Sequence, residues 1–147
     1  IDYLLQIGEP VAQPSPLDAW KQAQFPADFS DVEIAGDLAD PDNDGLDNMT
    51  EYFLGSDPNV ADSSEQPGAD LHAEGGQQYL RYRFQRDLSA FGNTFSVQVS
   101  TDLEFWSAPT GSLQREVARD GSVQYLEVLI PRSDDDLRQF VRLSVNR

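Results

Sequence analysis

A chain of 147 residues holds one domain or two small ones, long enough to bury a core. It carries 26 acidic residues against 10 basic ones, and the excess is lopsided: residues 1–80 hold 17 acids and one basic residue, Lys21, while residues 81–147 hold nine Arg and nine acids. That balance excludes nucleic acid and an anionic membrane surface as partners, since both need a basic face, and no apolar run approaches the roughly 20 residues of a membrane span.

Residues 1–16 contain Pro10, Pro14 and Pro16 and read as a linker or terminal segment. The first residue is Ile, so the sequence is expected to be a processed product or the C-terminal part of a longer protein. No cysteine is present, so no disulfide staples the chain. Residues 17–62 read as a helix–calcium loop–helix cap. Leu17 to Phe25 forms a short helix that Pro26 ends. Trp20 is expected to pack against Tyr52 or Phe53. Asp28 to Ala39 reads as acidic loop, and Gly36 disfavours a regular helix entering the next segment.

That segment is Asp40-Pro41-Asp42-Asn43-Asp44-Gly45-Leu46-Asp47-Asn48-Met49-Thr50-Glu51. It fits the calcium-loop pattern D-x-[DN]-x-[DN]-G-x5-E at every position. Calcium is a hard cation that takes six to eight oxygens. Asp40, Asp42 and Asp44 offer carboxylates at positions 1, 3 and 5, and Gly45 permits the sharp turn. Leu46 offers its backbone carbonyl, Asn48 binds directly or through a water, and Glu51 closes the shell. A solvated acidic turn is the plainer alternative, and the full spacing argues against it. Asp47 to Leu54 then reads as a helix capped by Gly55.

Residues 63–77 are rich in Ser, Pro, Gly and acids and read as a linker. They hold the only histidine, His72, a surface residue with no partner for zinc or nucleophilic chemistry. From Gln78 onward the apolar period becomes two. Leu80, Tyr82 and Phe84 form one such row; Phe95, Val97 and Val99 form another. Leu113–Arg119 and Val123–Ile130 flank a hairpin signal at Asp120-Gly121, and the second of these runs suits a central strand. Val141, Leu143 and Val145 end the series. Residues 78–147 are thus expected as an antiparallel β-domain, a small sandwich or partly open barrel. Asp134-Asp135-Asp136 reads as a solvated turn. The fold class is mainly β with a small α cap of two short helices.

The run Asp40 to Asn59 resembles the thrombospondin type 3 and dockerin group of calcium loops. More closely, the pattern DPDxDGLxNxxEYxLGxDP, with Trp20 upstream, Phe95 to Trp106 after it and Arg138 to Leu143 at the end, resembles a module near the C-termini of large secreted proteins of planctomycete and verrucomicrobial bacteria. The resemblance covers roughly residues 16–147. It departs from thrombospondin arrays, whose second loop lapses here after Asp57-Pro58-Asn59, and no paired dockerin repeat follows. It implies one calcium site, an extracellular or cell-surface setting, and a Trp106 that closes one end of the sheet.

The expectation is a non-catalytic, calcium-binding extracellular module with a structural, anchoring or assembly role. No nucleophile–base pair is legible, which argues against an enzyme. The alternative is a carbohydrate-binding module that targets a polysaccharide-active enzyme, with Trp106 as the stacking ring and Arg81 and Arg83 for acidic groups. A protein partner through the β-domain is the other expectation for the second half.

Overall fold

The computed structural model describes residues 13–132 and 138–147. The linker reading of residues 1–12 and the turn at Asp134-Asp135-Asp136 lie outside the described residues. Helix α1 spans Pro16–Gln24, with Ser15 as N-cap accepting from the Asp18 N–H and proline in its first turn. Helix α2 is one turn, Val32–Ala35, capped by Asp31 and ended at Gly36. The sequence suggested only acidic loop here, and two helices rather than three. The extra turn forms because Asp31 supplies an N-cap that a four-residue helix requires. Helix α3, Asn48–Leu54, starts at N-cap Asp47, whose side chain accepts from the Thr50 N–H. It ends at Gly55, in the left-handed region with φ 86°.

Six antiparallel strands follow: β1 Gly68–Glu74, β2 Gln77–Asp87, β3 Thr94–Ser100, β4 Leu113–Asp120, β5 Val123–Pro131 and β6 Phe140–Asn146. A four-stranded sheet has the order β1-β2-β5-β4, and β3 pairs with β6 in a second, two-stranded sheet. β5 lies inside the larger sheet, as its apolar run suggested. The β4–β5 hairpin turns at Gly121, φ 59°. Residues 63–77, expected as a linker, instead hold a 3-10 turn at Ser63–Glu65 and the edge strand β1. Polar composition hid this strand. An edge strand with exposed faces does not need apolar alternation, and Gly75-Gly76 returns it straight onto β2.

One apolar cluster joins both halves of the chain. Leu80, Tyr82 and Phe84 of β2 and Leu126, Val128 and Ile130 of β5 face Val145 and the flanking Phe95, Val97, Val99 and Leu143. Met49, Tyr52, Phe53 and Leu54 of α3, with Leu17 of α1, enter the same cluster. Each side chain so buried contributes on the order of 1.5–3 kcal/mol. Trp20 meets Tyr52 edge-to-face, ring centroids 5.4 Å apart, which bolts α1 to α3. The metal-loop candidate is thus fixed to a helix that is itself part of the sheet core. Among the described residues no helix is long and apolar enough to cross a membrane.

Candidate metal centre

The loop between α2 and α3 is shaped by its own aspartates. Asp40 accepts from the N–H groups of Asp44 (3.2 Å) and Gly45 (3.0 Å), and Asp44 accepts from the Leu46 N–H at 2.9 Å. These bonds wind the chain into a tight coil. Asn43 and Gly45 lie in the left-handed region, φ 58° and 94°. Asn is among the few non-glycine residues that tolerate it, and glycine does so freely. The result places one oxygen each of Asp40, Asp42 and Asp44 within 4.8 Å of one another. Three carboxylates so close repel unless a cation or proton intervenes. An acidic triad of this kind can hold a metal ion.

Glu51 is the deeper member. It sits on α3 with 0% of its surface exposed. Oε1 accepts from the Ser56 hydroxyl at 3.3 Å, while Oε2 is buried without a hydrogen-bond partner. Burial, then the charges of Asp42 and Asp44 and more weakly Asp40, push its carboxyl up to about 8. Asp42 is raised too, by burial and then by its contacts with Asp40 and Asp44, and its Oδ2 is likewise buried and unpartnered. Buried oxygens normally find partners. Their pattern here fits a hard divalent cation. It would take the oxygens of Asp40, Asp42, Asp44 and Glu51 and supply the positive charge that the cluster otherwise draws from protons.

Two predicted ligands have other commitments. Asn48 is fully buried, and its side-chain amide donates to the carbonyls of Ile34 (2.8 Å) and Gly36 (2.9 Å). It ties the chain entering the loop to the helix leaving it, while its Oδ1 has no hydrogen-bond partner. Leu46 is half-buried and packs against the core beside the loop. Sequence reasoning missed two supports. Gln66 donates to the Asp44 carbonyl at 2.6 Å, pinning the loop to the entry of β1. Ser56 holds Glu51. Gln66 lay in a stretch read as linker, and Ser56 lies just beyond the loop motif.

The candidate ligand residues of the β-domain lie elsewhere. Arg81 and Arg83 share the outer face of the four-stranded sheet, and both meet carboxylates. Arg81 meets Asp70 at 2.5 and 2.8 Å, with His72 Nδ1 at 3.1 Å from its Nη1. Arg83 lies 3.3 Å from Glu127, which Arg115 also reaches at 3.0 Å. The two guanidinium pairs hold Glu127 below its ordinary range against the opposing effect of burial. Trp106 stands under Arg142, whose guanidinium carbon is 4.1 Å from the ring centroid. The turn at Thr101–Glu104, with Leu103 at φ 65°, breaks strand parity. Phe105 is left 78% exposed and Trp106 half-buried.

Comparison with family models, curated proteins and solved structures finds no match to this chain.

Proposed function

We propose that this chain is a non-catalytic, calcium-binding module that works outside the cytoplasm, with a structural or anchoring role in a larger secreted protein. The observation that carries the reading is Glu51. It is a fully buried carboxylate with an unpartnered oxygen, set against three converging aspartates at calcium-loop spacing. Nothing in folding alone favours such an arrangement, because an uncompensated buried charge is costly. A cation that binds only the folded loop offsets that cost and stabilises the whole chain, since α3 is embedded in the common core. Millimolar extracellular calcium suits a single site of modest affinity.

The test is a calorimetric titration of the chelator-treated chain with Ca2+, beside the Glu51→Gln variant. One equivalent of heat in the parent and its loss in the variant supports the reading. No binding at millimolar Ca2+ removes it.

A second reading is a carbohydrate-binding module. It draws on Phe105, which stands exposed beside Trp106. Against it, Arg142 occupies a face of the Trp106 ring, and Arg81 and Arg83 are engaged with acids. A glycan array probed with the parent chain and with Phe105→Ala separates the two.

A further inference from the structure

We infer that Ser56 is a positioning residue that restricts Glu51 to a single metal-binding oxygen and thereby narrows the preference of the loop for Ca2+ over Mg2+. The inference rests on the calcium-loop reading and concerns its selectivity.

The geometry begins at the end of α3. Gly55 turns left-handed, and the N–H groups of both Gly55 (2.8 Å) and Ser56 (3.0 Å) converge on the Glu51 carbonyl. This closing turn folds the chain back, so the Ser56 hydroxyl lies over the carboxylate five residues before it. Gly55 cannot readily be replaced. A Cβ there would stand 3.0 Å from Asp87 Cβ, in a conformation that side chains rarely adopt. The placement of Ser56 is therefore fixed by the backbone and does not rely on a flexible contact. Glu51 is fully buried, so its carboxylate has no room to turn away into water. One oxygen is committed to Ser56 and the other is free of partners.

The chemistry follows from the number of oxygens. Ca2+ accepts seven or eight oxygens in a flexible shell and profits from a carboxylate that gives both. Mg2+ demands six in near-octahedral order at shorter distance and is served by carboxylates that give one. A hydroxyl that occupies Oε1 favours the one-oxygen mode and keeps the site tolerable to Mg2+. Outer-shell partners of metal ligands are commonly worth about 10–100-fold in affinity.

The experiment titrates the full chain with Ca2+ and, separately, Mg2+ for the parent, Ser56→Ala and Ser56→Thr, with folding of each checked by circular dichroism. Infrared difference spectra of the Ca2+-loaded forms report whether the glutamate carboxylate gives one oxygen or two. The expected result is a rise of roughly tenfold in the Ca2+-to-Mg2+ affinity ratio for Ser56→Ala. The carboxylate band should move from the one-oxygen to the two-oxygen position, and Ser56→Thr should keep parental behaviour because it retains the hydroxyl. Tight Ca2+ binding with the same ratio and the same band in all three chains would overturn the role of Ser56 and leave the loop reading intact. A parent chain that binds neither ion overturns both.

Discussion

Arg147 closes on Asp37 with both prongs of its guanidinium, Nη2 to Oδ1 at 2.8 Å and Nε to Oδ2, across 110 positions of sequence. The same guanidinium reaches Asp18 of α1 at 2.7 Å, and Lys21 adds a second cation 2.6 Å from Asp37. The last strand is thereby tied to the helix and to the chain entering the metal loop. Asp37 is also the carbonyl that accepts the Met49 N–H at the start of α3.

This cluster gives a pH dependence. Arg147 holds the Asp18 carboxyl at about 2, below its ordinary 3.8, and holds Asp37 low as well. A depressed folded-state value means the contribution is fully present above the unfolded value, near pH 4, and is lost as pH falls through about 2. Arg147→Ala should lower stability at neutral pH by about 1 kcal/mol, the upper end for partly exposed pairs. Urea melts of both chains should show the gap closing between pH 4 and pH 2. A gap that persists at pH 2 would mean that Arg147 acts through packing instead.

Calcium removal should lower the melting temperature. An ion at 100 times its dissociation constant adds about 2.7 kcal/mol to a folded state that alone binds it. Thermal scans in chelator and in excess Ca2+, at matched ionic strength, check this. Superimposable curves would sink the calcium reading.

Within the loop, Asp40→Ala and Glu51→Gln should abolish most calcium affinity, whereas Asp47→Asn should leave it nearly intact. Asp47 faces the helix as the N-cap of α3, and Asn caps equally well. Asp47→Ala should cost about 1 kcal/mol of stability with little change in affinity. Calorimetry and denaturation on the same four variants distinguish capping from ligation.

Trp106→Ala should cost about 1–2 kcal/mol, the sum of a half-buried ring and one cation–π contact. Position alone suggested a fully enclosed corner residue and a loss of about 3–5 kcal/mol, which belongs to fully buried rings. Phe53→Ala, whose ring is fully buried between Phe84 and Phe95, should show that larger loss. Chemical denaturation of the two variants side by side gives the ordering, and equal losses would contradict the placement of Trp106.

Local order was legible in the sequence, and long-range order was not. The aspartate spacing, the glycine turn at Gly45, the Gly55 cap and the Asp120-Gly121 hairpin involve neighbours a few residues apart, and side-chain chemistry decides them. The alternation of Leu80, Tyr82 and Phe84 marked a strand because period two buries one face. Tertiary structure alone decided that β3 leaves the meander for β6, since pairing partners are chosen by the packing of whole faces. It decided that the polar run Gly68–Glu74 is a strand, because β2 supplies its hydrogen bonds. It also decided which carboxylates lose their water. Glu51 and Asp47 are both acids of one motif, yet the sheet core buries the first and leaves the second to cap a helix. Burial is a property of the assembled layers, and it makes Glu51 the electrostatic centre of the site.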